Sequence, residues 1–314
     1  MQPILSIYIA TYNHEKYIQQ AIESVQMQET EYQYEVLIGE DCSTDKTRDI
    51  LKKMESTLPE NYKIFYRTNN MYNKDIDNSD DLKMRCKGKY IIALEGDDYW
   101  TDKHKIQKQI SFLENHPEYF AVAHNCTIVD ENSYANGELY PECKENMYSI
   151  QHYCSDIMPG QLTTVMYRNF LLDRYMDYDF IMEKTPAPGD RKLYYSFAIN
   201  NLPVYCIQEK MSAYRHITEG GSSFSANWKY NFEQEIIWFN ALLKYSYKIN
   251  TNNSIKYGDY LYFRNLFQGY RSGQINIKNL MKYLKKLKSP YNAMWVYFNS
   301  QIRKRILKKK IYVK

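Results

Sequence analysis

Three carboxylates fall within four positions in the stretch "ALEGDDYWTD", residues 93–102, where Glu95, Asp97 and Asp98 follow an apolar run and precede Tyr99 and Trp100. Like charges this close repel one another, so the cluster calls for a cation or strong hydrogen-bond donors in its midst. Carboxylates also repel phosphate unless a divalent cation bridges the two. Mg²⁺ or Mn²⁺ held by one or two carboxylates and a substrate diphosphate is the usual arrangement. Two other polar segments, "ATYNHE" (10–15) and "GEDCSTD" (39–45), close apolar runs in the same way. Neither G-x-G-x-x-G nor a Gly-rich turn ending in Gly-Lys-Ser/Thr is present, which removes dinucleotide and P-loop sites. The six cysteines are widely spaced, match no zinc pattern and are expected to be free thiols.

These segments must be placed by regular elements. "ILSIYIA", "YEVLIGED", "KIFYR" and "KYIIALE" are strand-like, and between them "EKYIQQAIESVQMQ", "CSTDKTRDILKKM" and a segment ending at Gly88 have helical spacing. Ser43 or Thr44 is the expected N-cap of the second helix. "KIQKQISFLENH" continues the alternation as a helix that stops at Pro117, followed by strands in "YFAVAHNCTIVD", "QLTTVMYRN" and "LPVYCIQ" and a helix in "GDRKLYYSFAINN". Repeated β–α–β units predict an α/β fold with a mainly parallel sheet flanked by helices. In such sheets ligands sit beyond the carboxyl ends of the strands, where the three polar segments lie.

In order and spacing, "SIYIATYNHEKYIQQAIESV", "VLIGEDCSTDKT", "GKYIIALEGDDYWTD" and "KIQKQISFLENHP" resemble the nucleotide half of the inverting family 2 glycosyltransferases of the GT-A fold. "GDRKLYYSFA" and "SAYRHITEGGSS" resemble that family's acceptor half. The resemblance covers about residues 3–224 and implies a glycosyltransferase domain over 1–224, divided into a nucleotide-binding half (1–115) and an acceptor-side half (116–224). It implies that Ala10, Thr11 and Tyr12 hold the nucleotide, that Asp41 accepts from the uracil ring N–H, and that Asp97 and Asp98 form the metal and ribose-diphosphate motif. Asp98 and His216 are then the expected metal ligands and Asp190 the expected general base. The implied function is transfer of a sugar from a UDP-sugar to a glycan hydroxyl, with Mn²⁺ or Mg²⁺, in bacterial capsule or other surface polysaccharide synthesis. Cys42 stands where the family commonly has Gly, Gly189 stands where it commonly has Glu, and no processive-synthase motif is evident.

Each assignment has a structural alternative: Asp41 could cap the next helix, Asp190 could be a helix N-terminal charge, His216 could be a loop histidine, and Tyr99 and Trp100 could pack or stack on a sugar. The remaining histidines, His14 among them, are given no role. A catalytically silent scaffold that binds sugar nucleotide or lipid is the alternative function. A pyrophosphorylase of the same fold would need a Gly-rich basic N-terminal loop, which "ATYNHEKY" is not.

The net charge of +4 is unevenly spread. No Asp or Glu follows Asp259, whereas residues 260–314 hold 14 of the 41 Lys and Arg; the preceding residues therefore carry 27 basic against 37 acidic side chains. Residues 225–314 read as a basic, aromatic-rich helical region. Ile277, Leu280, Met281, Leu284 and Leu287, then Trp295, Phe298, Ile302 and Ile306, make apolar stripes beside lysines and arginines. Two partners fit this pattern: an anionic membrane surface, or the body of the protein in a helical bundle. No groove-reading or stacking module for nucleic acid is evident. The N-terminus lacks a signal-like n-region and no run approaches about 20 apolar residues, so the expected location is cytoplasmic, with peripheral contact at the inner face of the cell membrane.

Overall fold

A computed structural model describes residues 2–72, 74, 76–135, 137, 145–148, 150–154, 159, 161–173, 189–217 and 229–311, the last nine of these as backbone only. In chain order the elements are β1 (Leu5–Thr11), α1 (Ile18–Gln26), β2 (Tyr34–Glu40), α2 (Thr47–Glu55), β3 (Tyr62–Tyr66), α3 (Asn78–Arg85), β4 (Tyr90–Glu95), β5 (Tyr99–Trp100), α4 (Lys105–Asn115) and β6 (Ala121–Val129). They continue with β7 (Met147–Tyr148), α5 (Ile150–Cys154), a 3₁₀ turn (Leu162–Thr164), β8 (Met166–Arg168), α6 (Phe170–Asp173), α7 (Gly189–Ile199) and β9 (Val204–Arg215). Four helices follow: α8 (Phe232–Ile249), α9 (Asn252–Arg271), α10 (Ile277–Leu284) and α11 (Pro290–Ile311).

The chain forms two compact units, one of residues 1–147, 159–178 and 203–227, the other of residues 148–158, 179–202 and 228–314. The second unit thus draws in two segments that lie inside the expected 1–224 domain, and the expected boundary at 224/225 falls outside the described residues.

In the first unit the sheet runs β3-β2-β1-β4-β8-β6-β9-β5. The pairs β3/β2, β2/β1, β1/β4 and β6/β9 are parallel. β8 is antiparallel to both β4 and β6, and β5 is antiparallel to β9. Strands β1, β2 and β4 are buried on both faces, as parallel strands covered by helices must be. Leu5, Ile7 and Ile9 join Val36, Ile38, Ile92 and Leu94 against Ile18, Ile22 and Val25 of α1 and Ile106, Ile110 and Leu113 of α4. The alternate positions Tyr8, Leu37, Ile91 and Ala93 are equally buried, and α3 packs on β1 and β2. The register sets Ala10 beside both Gly39 and Glu95, so the carboxyl ends of β2, β1 and β4 lie side by side. Strand order reverses at β1, making this edge the switch point of the sheet.

The predicted helix at 42–54 begins only at Thr47, and neither Ser43 nor Thr44 caps it; the Asp45 carboxylate accepts from the Thr47 N–H instead (2.9 Å). The predicted strand at 202–208 extends to Arg215 after a register irregularity opposite His124 to Cys126.

The second unit is helical. Asn250, at φ 57°, ends α8, and a capping box between Thr251 and Ser254 starts α9. The two helices approach closely: a Cβ at Gly258 would stand 2.1 Å from Ser246 Oγ. Trp238 of α8 stacks on Tyr195 of α7, and Tyr297 of α11 meets Phe263 and Phe267 of α9 edge-on. Among the described residues no helix is long and apolar enough to cross a membrane, and Cys42, Cys86, Cys126, Cys154 and Cys206 are free thiols.

At Gly88, entering β4, an added Cβ would lie 2.5 Å from the Ser6 nitrogen and 2.6 Å from the Leu5 carbonyl carbon. Backbone cannot yield as a flexible side chain can. Gly88→Ala is therefore expected to lower the free energy of unfolding by about 1–3 kcal/mol in urea denaturation.

Candidate active site

The three sequence-predicted segments meet at the carboxyl ends of β1, β2 and β4. The loops after β1 and β2 are tied together by reciprocal hydrogen bonds. The Asn13, His14 and Glu15 N–H groups donate to Ser43 Oγ (3.0 Å), Thr47 Oγ1 (2.8 Å) and Asp45 Oδ2 (3.0 Å). The Thr44 and Lys46 N–H groups donate back to Asn13 Oδ1 (2.8 Å) and Glu15 Oε2 (2.9 Å). Glu40, fully buried at the end of β2, pairs with Arg48 and accepts from the Ser43 N–H (2.6 Å). Ala10, Thr11 and Tyr12 lead into this rigid double loop.

Asp41 is buried beside it. Its N–H donates to the Thr11 carbonyl (3.0 Å) and its Oδ1 accepts from the Met71 N–H (2.7 Å). It does not cap α2, whose N-cap position is Lys46 without a side-chain cap. Burial raises the Asp41 carboxyl above the usual carboxylate range. The neighbouring Cys42 has φ 59°, a left-handed conformation that costs a residue with a Cβ about 1–2 kcal/mol and that glycine would adopt freely.

At the end of β4, Glu95, Asp97 and Asp98 each offer an oxygen, all within 4.8 Å of one another. Asp98 is buried and fully engaged: Oδ1 accepts from the Arg215 N–H (2.8 Å) and Oδ2 from Gln161 Nε2 (2.7 Å). Gln161 Nε2 also reaches Glu95 Oε2 (3.3 Å), and its Oε1 accepts from the Thr163 N–H (2.9 Å) and hydroxyl (2.7 Å), which fixes the amide with its donors toward the carboxylates. Burial, then the charges of Asp97 and Glu95, push the Asp98 carboxyl well up. Asp97 and Glu95 are the more open members, and His14 Nε2 lies 3.9 Å from Asp97 Oδ2 while its Nδ1 is 3.2 Å from Thr11 Oγ1.

Arg215 anchors the assembly. Its buried guanidinium donates from Nε to the Asp97 carbonyl (2.8 Å), from one terminal nitrogen to the Asp130 and Glu131 carbonyls (2.9 and 3.1 Å), and from the other to Gln20 Oε1 (2.8 Å) and Ser133 Oγ (3.1 Å). It also lies 4.3 Å from the Tyr17 ring centroid and 5.5 Å from that of Tyr99. Trp100 is packing rather than platform: it is buried, its Nε1 donates to the Thr163 carbonyl (3.3 Å), and Lys105 Nζ sits 4.2 Å over its ring.

The structure thus brings Ala10, Thr11, Tyr12, Asp41, Asp97 and Asp98 to one strand end. His216 stands one residue beyond Arg215, its N–H on the Val129 carbonyl and its ring stacked with Tyr214, outside the group of three carboxylates. Asp190 belongs to the second unit, partly buried at the start of α7, where its Oδ1 accepts from the Arg191 N–H (2.7 Å) and burial raises its carboxyl. Gln161, Arg215 and His14 are site residues that sequence reasoning left without roles, and Glu95, already read as part of the acidic cluster, joins it in the structure. A lone arginine in the apolar run "MSAYRH" was the available signal, since a buried cation implies partners nearby.

Residues 6–179 match the profile of Glycosyl transferase family 2. An uncharacterized protein of Mycobacterium tuberculosis is 30% identical over 216 residues, covering 69% of this chain and 60% of that protein. The Escherichia coli UDP-Glc:alpha-D-GlcNAc-diphosphoundecaprenol beta-1,3-glucosyltransferase WfaP is 34% identical over 119 residues, 38% of this chain and 44% of WfaP. The chain therefore spans about three-fifths of the length of the mycobacterial relative. In fold it is similar to the crystal structure of Staphylococcus aureus TarS 1–349 in complex with UDP-GlcNAc, with a TM-score of 0.65 at 17% identity, covering 100% of this chain and 93% of that one.

Arg215→Lys keeps the charge but loses most of the five-donor fan. The expected result is a drop of about 3 kcal/mol in unfolding free energy, measured by urea denaturation; a loss under about 0.5 kcal/mol would show that the fan does not hold the site. With the strand-end geometry, the profile match and the shared GT-A architecture together, the chain belongs to glycosyl transferase family 2, the glycosyltransferases.

Proposed function

We propose that this chain transfers a sugar, with inversion, from a UDP-sugar to a hydroxyl of a glycan acceptor in bacterial capsule or other surface polysaccharide synthesis. The observation that carries this is the carboxylate group at the switch point, with Asp98 locked by Gln161 and Arg215 and with Asp97 and Glu95 left more open. Three hard oxygen donors at the end of a parallel strand fit Mg²⁺ or Mn²⁺ in chemistry and number, and Asp97, Glu95 and Asp98 would hold it. A bound divalent cation would neutralise the charge that builds on a leaving diphosphate. The UDP-Glc and the alpha-D-GlcNAc-diphosphoundecaprenol in the name of WfaP, and the UDP-GlcNAc bound to TarS, support a UDP-sugar donor and a lipid-linked acceptor.

The chain's own residues divide the remaining work. Tyr12 would lie against the base, Ala10 and Thr11 along the nucleoside, and Asp41 would accept from the ring N–H. Asp190 would take the proton of the attacking hydroxyl onto its carboxylate as the new bond forms on the face opposite the leaving group. Its raised proton affinity suits a base, which must hold the proton it receives. Residues 260–314 would meet the inner membrane face that carries such an acceptor.

UDP binding measured by calorimetry is expected to be at least about tenfold weaker, or about 1.4 kcal/mol, when Mn²⁺ is replaced by excess chelator, and Asp97→Asn should remove that dependence. Equal affinity with and without metal would overturn the site assignment. Asp190→Asn should lower kcat by about 10²-fold or more and leave UDP affinity unchanged. Because the folded carboxyl titrates above its ordinary value, wild-type kcat should fall as pH drops through that raised value; near-normal transfer by the variant would place the base elsewhere.

A further inference from the structure

The last two helices bury one face and leave the other exposed. Ala293, Val296, Tyr297 and Ser300 of α11 are buried, as are Leu280 of α10 and Leu287 after it, so one side of each helix belongs to the core of its unit. The other side of α11 presents Tyr291, Trp295, Phe298 and Ile302, 86%, 65%, 47% and 56% exposed. Their spacing of four, three and four residues makes one continuous stripe along the helix. α10 adds Ile277 and Met281, 56% and 55% exposed. Lys278 and Lys282 of α10 and Lys285 just after it are exposed, as are Lys286 and Lys288, whose Nζ atoms reach Asn240 (3.0 Å) and Asn250 (3.2 Å). No acidic residue follows Asp259 anywhere in the sequence.

We infer that the outer face of α10 and α11 is a docking surface for an anionic lipid bilayer, with the Tyr291–Trp295–Phe298–Ile302 stripe entering the interface and the lysines meeting the headgroups. A second copy of this chain is a poor occupant, because a two-fold contact would set lysine against lysine with no carboxylate between them. A bilayer accepts the same surface without conflict. Trp and Tyr prefer the boundary between hydrocarbon and headgroup, and lysine stems lie along apolar surface with the ammonium in the anionic layer. The acidic surplus lies in residues 1–259, so attraction to an anionic leaflet has to come from the basic residues after Asp259.

This surface gives residues to the membrane contact proposed above and rests on that proposal for the location of the acceptor. The test uses neither donor nor acceptor. The full chain should co-sediment with phosphatidylcholine vesicles containing phosphatidylglycerol, stay in the supernatant with phosphatidylcholine alone, and be released at high salt. Trp295→Ser with Phe298→Ser, and separately Lys278→Glu with Lys282→Glu and Lys285→Glu, should each lower the bound fraction about tenfold or more. Trp295 and the three lysines are exposed, so Trp295→Ser alone and the lysine set should keep the wild-type melting temperature and the wild-type thermal shift with UDP and Mn²⁺. Phe298 is half-buried with its ring also against Phe267 and Tyr297, so the double variant is read against Trp295→Ser alone, which should itself lower the bound fraction. Vesicle binding that survives either set of substitutions would overturn the inference, as would an absence of binding to anionic vesicles. So would a dimer in sedimentation velocity that the Trp295→Ser and Phe298→Ser pair abolishes. A lost UDP shift in the wild-type protein would count against the sugar-nucleotide site and leave this surface untouched.

Discussion

Asp98 sits in the core with two other carboxylates against it, an arrangement that is electrostatically unfavourable unless donors are aimed at it from fixed positions. Both of its oxygens accept hydrogen bonds, one from backbone and one from an amide that is itself pinned by Thr163. Arg215 supplies the backbone donor, and its side chain ties the Asp97 carbonyl to the 130–133 turn and to α1, so the carboxylates cannot relax away from each other. A buried guanidinium near the group also offsets part of the negative potential that the three acids create. The folded protein still holds the Asp98 proton more tightly than the unfolded chain does. The repulsion is therefore felt as pH rises through that raised value, and a cation at Asp97 and Glu95 would relieve it.

The fold was legible where structure is determined locally. The apolar runs of β1, β2 and β4 and the 3.6-residue spacing of α1 and α4 give themselves away in windows of a dozen residues. A strand was legible in "QLTTVMYRN", but its antiparallel place between β4 and β6, and the two-residue β5 on β9, depend on pairings far apart in the chain. The second helix illustrates the competition among polar residues. Ser43 and Thr44 have good N-cap chemistry, but Asn13 claims both, and the helix starts three residues after Thr44, at Thr47, without a side-chain cap.

The site was legible to the extent that its residues sit at strand ends. Asp41, Asp97 and Asp98 follow apolar runs and stood out for that reason; Cys42, a departure from the common glycine, keeps the left-handed turn that glycine would adopt. Gln161 and Arg215 were missed because each lies in a mixed segment, and only the folded chain shows what a buried polar group is bonded to. His14 was passed over as one histidine among six, and its place beside Asp97 depends on the knot of bonds between two loops.

The donors that quiet Asp98 come from 63 and 117 positions further along the chain. Strands β1 to β4 and their helices can assemble from near neighbours while the ribosome is still delivering the rest, since each β–α–β step closes over a short span. During that interval the acidic cluster lies at an open edge, hydrated and mutually repelling. The two donors to Asp98 lie just before β8 and at the end of β9, so a chain that ends before β9 carries the acids without the full set of bonds that holds them.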